Sequence, residues 1–180
     1  KYPPKSISGW LADMDGLTSR PEPPAHLFKH FHKNPELSHR EFKTAERLAD
    51  EIRALGYDVT EGVGGTGIVA VMENGDGPTV MIRADMDGLP VKEDSGLSYA
   101  STATQEDIDG QVKPVMHACG HDVHITSLVG TARQMAARQT DLLLNEVKVI
   151  QQPRLGRDNP LPLCDGVRHQ IIGRQQNTLI

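Results

Sequence analysis

"VMHACGHDVHITSLVGTARQMAA", residues 115–137, decides how this chain is read. Its first ten positions hold His117, Cys119, His121, Asp122 and His124. Imidazole, thiolate and carboxylate are the ligands that zinc and manganese take. Cys119 and His121 are two residues apart, and Gly120 between them relaxes the backbone and leaves room for an ion. The second part changes character. Ile125, Leu128, Val129, Ala132 and Met135 recur at helical spacing, so a helix runs through "ITSLVGTARQMAA" and the polar cluster sits where a loop enters it. Surface histidines beside one buried thiol would give the same letters. The spacing is not that of a zinc finger, because no second CxxC or HxxxH pair completes four ligands.

Working outward, "TVMIRA" (79–84) and "GIVAVME" (67–73) are apolar and rich in β-branched residues, as strands covered on both faces are. "ENGDG" (73–77) is expected to be the turn joining them. "YDVTE" (57–61) and "NEVKVI" (145–150) read as further strands. Upstream, "AHLFKHFHKN" forms a helix that stops before Pro35. In "SHRE", Ser38 and Glu41 have capping-box spacing for a second helix, whose apolar face is Phe42, Ala45, Leu48, Ala49, Ile52 and Leu55. Gly56 ends that helix as a left-handed cap. "SGLSYASTATQEDIDG" (95–110) is polar and reads as loop. The expected fold is α/β, a mixed sheet flanked by helices. Residues 1–24 are a Pro-rich lead-in, 25–153 a partial α/β domain, and 154–180 a divergent tail whose periodicity has decayed.

The strand ending at Ala84 runs directly into Asp85 and Asp87 of "IRADMDGLP" (82–90). In open α/β sheets, ligand groups gather beyond the carboxyl ends of strands. Asp85 is placed to hold the tautomer of a metal-bound imidazole, although aspartates also favour such junctions for backbone reasons. "GVGGTG" (62–67) lacks the GxGxxG spacing and leads into a strand, which excludes a phosphate loop.

A net charge of −5 without a Lys/Arg run argues against nucleic acid or an anionic membrane as partner, and 4% aromatic residues leave no base-stacking platform. No apolar run reaches the length of a membrane span. The opening "KYPPKSISGW" has no secretory pattern, and two cysteines, Cys119 and Cys164, make no disulfide framework. A reduced, cytoplasmic setting is expected.

Three stretches carry a resemblance: "FHKNPELSHREFKTAERLADEIRALGYDV", "IRADMDGLPVKEDSGLSYAS" and "MHACGHDVHITSLVGTARQMA". In this order they resemble the amino-terminal part of the M20 metallopeptidase family, in the amidohydrolase branch with hippurate and indole-acetyl-amino-acid hydrolases. The resemblance implies an incomplete catalytic domain of the zinc-dependent exopeptidase kind. It implies a site for two divalent ions, zinc or manganese, that hydrolyses amide bonds of N-acyl-amino acids or short peptides. Full-length relatives imply a homodimer and a smaller inserted domain that no stretch here matches. The Cys-Gly-His metal ligands fall on Cys119 and His121. Asp85 falls on an acidic support for the metal site, and Asp122 and His124 fall on positions lining the same pocket; Asp87 and His117, read from the residues alone, are candidates to border substrate or back the ligands.

The chain also departs from that pattern. Similar proteins continue Gln-Pro-Ala-Glu-Glu after the strand, the first Glu as general base and the second as ligand. Here Gln152 and Pro153 are followed by Arg154, Leu155 and Gly156. The implied function is a metal-dependent amidohydrolase impaired in this form. A non-catalytic binding protein that keeps the fold, and a structural domain in which Cys119 and His121 only pack, stand as alternatives.

Overall fold

The computed structural model describes residues 25–141 and 146–151, so the lead-in and tail expected at 1–24 and 154–180 lie outside the described residues. In chain order the elements are α1 (Ala25–Lys33), α2 (Phe42–Arg53), β1 (Asp58–Val63), β2 (Gly67–Glu73), β3 (Thr79–Ala84), β4 (Thr104–Glu106), β5 (Val112–Pro114), α3 (His121–Ala137), a 3₁₀ turn (Gln139–Asp141) and β6 (Glu146–Gln151). Among the described residues, no helix is long and apolar enough to cross a membrane.

Four strands form one mixed sheet in the order β1-β2-β6-β3. β6 runs antiparallel to β2 and parallel to β3. The "ENGDG" segment therefore does not join neighbouring strands. It reverses the chain but leaves a gap one strand wide, which β6 fills. A turn signal reports reversal, not adjacency. The parallel pair β3 and β6 needs a long crossover, and α3 supplies it. Ala84 pairs with Gln151 in register, so both strands end level at the same edge of the sheet.

The core joins α1 (Leu27, Phe31), α2 (Ala45, Leu48, Ala49, Ile52), α3 (Ile125, Leu128, Val129, Ala132) and the sheet. On β2 the buried residues Ile68, Ala70 and Met72 alternate, as a strand with one face on helices requires. Ala70 pairs with Val149, so both strands offer the same face. β3 is not covered on both faces as its composition suggested, since Met81 stays 51% exposed. Phe42 lies off the buried face of α2 at 60% exposure.

Three local expectations are corrected. The Ser38/Glu41 capping box does not form: Glu41 sits at the cap without a side-chain cap bond. Instead the Glu36 carboxylate accepts from the Thr44 N–H (2.7 Å) and hydroxyl (2.8 Å), capping α2 from outside. The segment 95–110 is not all loop, because β4 pairs antiparallel with β5. Asp107 Oδ1 accepts the N–H groups of Asp109 and Gln111, both at 2.9 Å, and fixes the connection. The cap of α2 is Ala54, and Gly56, at φ 89°, follows it and donates to the Arg53 carbonyl at 3.0 Å, so the left-handed turn lies two residues past the cap.

Candidate metal centre

Three segments meet at the carboxyl end of β3: residues 85–90 after the strand, 36–41 before α2, and 115–124 leading into α3. Leu37 bridges to Gly88, Leu89 bridges to Met116, and the Gly88 N–H donates to the Glu36 carbonyl at 2.6 Å. Gly120, at φ 73°, turns the chain into α3, whose first residue is His121.

Asp85, His121 and His124 each offer a ligand atom, and these atoms lie within 4.8 Å of one another. His121 is buried, Asp85 half-buried and His124 exposed. The His121 and His124 rings are 5.3 Å apart, one helical turn spacing them on the same face. Asp85 and His124 also border a cleft of about 360 Å³ with Ile82, Arg83, Ser127 and Thr131. Arg83 pairs with Asp85 Oδ1.

The donor set fits a divalent ion, and one bond makes the fit specific. His121 Nδ1 lies 2.9 Å from the Asp87 carbonyl oxygen. A carbonyl only accepts, so in the neutral ring Nδ1 carries the proton and Nε2 keeps its lone pair. Two imidazoles and a carboxylate suit zinc or manganese. The Asp87 Oδ1 is also 2.9 Å from Nδ1 but has no aligned hydrogen bond, because the N–H points at the carbonyl. The side chain contributes charge while the main chain takes the proton.

The remaining expected residues are placed differently. Cys119 is exposed and free, in the turn before α3, outside the Asp85–His121–His124 group. Asp122 turns away to His32, whose Nδ1 is 2.7 Å from Asp122 Oδ2 and whose Nε2 is 2.9 Å from Glu93 Oε1. Both partners are carboxylates, which accept when ionised, so this pair of contacts favours the imidazolium form of His32, in which both ring nitrogens donate. Burial lowers its pKa, but the bonds and charges of Asp122 and Glu93 more than offset that and raise it above the ordinary value. His117 is 6% exposed with no aligned hydrogen bond on either nitrogen. Burial pushes its pKa down to about 4, leaving it neutral near pH 7.

His32, Glu93 and Ser38 were not anticipated as site residues. Ser38 donates to Asp87 Oδ2. Their partners lie 61, 90 and 49 residues away in sequence, so no local spacing marks them.

Residues 81–154 match the model for peptidase family M20/M25/M40. The chain is 44% identical over 124 residues to thermostable carboxypeptidase 2 of Saccharolobus solfataricus, covering 68% of this chain and 29% of that protein. It is 40% identical over 115 residues to hippurate hydrolase of Campylobacter jejuni, covering 63% and 28%. The crystal structure of Bacillus subtilis YXEP protein, described as a dinuclear metal binding peptidase from M20 family, superposes with a TM-score of 0.62 at 32% identity, covering 72% of this chain and 34% of that one. The chain thus spans about a third or less of the length of the relatives it matches. It belongs to peptidase family M20/M25/M40, of which it carries an amino-terminal part similar to the amidohydrolase branch.

Proposed function

We propose that residues 25–153 are a partial catalytic domain of a metal-dependent amidohydrolase. Its substrates are N-acyl-amino acids or short peptides, and this 180-residue chain alone hydrolyses them poorly. The observation that carries the reading is the Asp85–His121–His124 group, with the Nδ1 proton of His121 committed to Asp87. A divalent ion, zinc or manganese, would polarise the scissile carbonyl and lower the pKa of a bound water. Asp85 supplies negative charge, His121 Nε2 and His124 supply nitrogen donors, and Asp87 keeps the His121 proton off the donor atom. Cys119, two residues before His121, is a further donor, and two ions would need it together with groups from elsewhere. His117, neutral and without an aligned partner, borders the same region and is available to substrate or a second ion.

The impairment follows from residues 154–156. Leu155 and Gly156 stand where similar proteins carry a base and a ligand. General base catalysis is typically worth about 10² to 10⁴ in rate. The test incubates the purified chain with excess zinc or manganese and benzoyl-glycine or an acetyl-amino acid, measuring bound metal and released amine. Metal uptake with little or no turnover is expected. Turnover near about 1 to 10³ per second, ordinary for enzymes, would refute the impairment, and absence of metal uptake would refute the site.

A further inference from the structure

We propose that Ser38 is a positioning residue for His121, acting through Asp87. The proposal rests on the metal-site reading and adds a residue that neither spacing nor resemblance assigned. Three observations carry it. The Ser38 hydroxyl donates to Asp87 Oδ2, which leaves Oδ1 as the oxygen 2.9 Å from His121 Nδ1. The two oxygens of one carboxylate are thus divided between a fixed donor and the imidazole. Second, the turn that presents Ser38 is strained. His39 has φ 66°, the one non-glycine residue with positive φ among the described residues. Strain of this kind persists where surrounding contacts over-determine it. Third, those contacts are present: Leu37 bridges Gly88, and the Leu37 N–H donates to Gln105 Oε1 at 2.6 Å. The helix-capping role that Ser38 has the spacing to fill is taken by Glu36, so its hydroxyl is free for Asp87.

A carboxylate that is 97% buried has few ways to orient itself without such a donor. Removing the hydroxyl lets the Asp87 side chain rotate away from Nδ1. The ring is then held by the main-chain carbonyl alone, and its orientation loosens. Groups that back a metal ligand in this way are typically worth about 10- to 100-fold in metal affinity.

The test is a double-mutant cycle on zinc affinity of the full chain, read by competition with a chelator. Ser38→Ala is expected to weaken binding about 10-fold, and Asp87→Asn at least as much. The double variant should be no weaker than Asp87→Asn alone, because the hydroxyl then has no carboxylate to act through. Ser38→Thr, which keeps the hydroxyl, should restore wild-type affinity. Fully additive losses, or a Ser38→Ala change below about threefold, overturn the proposal. Melting curves check folding, and Ser38→Gly, which also removes the hydroxyl, stands in if Ser38→Ala does not fold. A readout without metal separates the two readings. In metal-free protein, ¹⁵N signals of His121 should report the Nδ1-protonated form in wild type and in Ser38→Ala, because the Asp87 carbonyl still takes that proton, with the ring resonances shifted or broadened in the variant as the ring's orientation loosens. If wild type binds no zinc, the metal reading fails, and an unchanged His121 signal in the variant would then overturn the positioning role too.

Discussion

Gly88→Ala tests how tightly the three segments are locked. A Cβ built at Gly88 would lie 2.8 Å from Val115 Cγ1, 3.1 Å from the Pro35 Cβ and 3.2 Å from the Glu36 carbonyl oxygen. Ordinary carbon–carbon contact is about 3.5–4.0 Å, so Val115 must retreat by roughly 0.7 Å or more. It has little freedom to do so. Val115 is 1% exposed and β-branched, which stiffens χ1. The other two neighbours belong to a proline ring and the main chain. The Glu36 carbonyl is also the acceptor of the Gly88 N–H, so moving it lengthens that bond. Overpacking costs about 1–3 kcal/mol and a weakened hydrogen bond up to about 1 kcal/mol. The sum is about 1–4 kcal/mol, a large share of the roughly 5–15 kcal/mol by which domains are stable. With a urea m-value of about 2 kcal/mol/M, the midpoint should fall by about 0.5–2 M at unchanged m. Gly130→Ala is the control. It lies inside α3 with nothing within 4 Å of the added carbon, so it should stabilise by up to about 1 kcal/mol. A Gly88→Ala midpoint within about 0.3 M of wild type would refute the close packing.

Three further outcomes are expected. His39→Gly should stabilise by about 0.5–1 kcal/mol, because it relieves a left-handed conformation at an exposed position; a destabilised variant in urea titration would show that the His39 side chain contributes. The His32 pKa is raised in the folded state, so its contribution is complete below the unfolded value of 6.5 and is lost as pH rises through the folded one. The stability advantage of wild type over His32→Gln should therefore shrink as pH rises from 6, and parallel profiles would refute the ion-pair reading; His117, lowered to about 4, costs stability below about 6.5 in both proteins and cancels in that difference. If Cys119 is a ligand, zinc should slow its alkylation and a chelator restore it, with Cys164 as internal control, whereas equal rates in metal-loaded protein would exclude ligation.

What could be read from the letters was set by local physics. "TVMIRA" coincides with β3, and the helix after the histidine cluster begins within the cluster itself, at His121. Alternation, helical periodicity and the glycine at 56 are properties of neighbours in sequence. A strand-end aspartate and a loop entering the crossover helix converge in α/β folds, which places His121 near Asp85, but the spacing picks Cys119 as the second donor and the structure groups His124 instead. Pairing was not legible. Nothing in "NEVKVI" says that it inserts between β2 and β3, because insertion is decided by the α3 crossover and by shared core residues such as Val149. Likewise His32 looks like an ordinary helix residue until α1 packs beside the start of α3, bringing Asp122 and Glu93 to its two nitrogens.

The failures of local rules gather in one place. The capping-box pair is not used as a cap, a histidine takes a glycine-like φ, and His117 is buried without an aligned partner. Glu41 is fully buried with Oε2 accepting from Thr66 at 2.6 Å and Oε1 unpaired, and burial raises its pKa. Each arrangement costs stability, and each lies in segments 36–41, 85–90 or 115–124. Sequences that fold well keep local and global preferences consistent, and departures concentrate where a site needs a particular geometry. A purely structural role for this region would predict the opposite, since an apolar packing of the same segments would avoid the strained turn and the buried charges. The Asp87 main chain shows the alternative at work. Its carbonyl fixes the proton of His121, and its carboxylate is shared between Ser38 and the same ring. One residue thus engages the His121 ring through two separate atoms, its carbonyl and its carboxylate, and the strained turn at His39 presents the hydroxyl that holds that carboxylate.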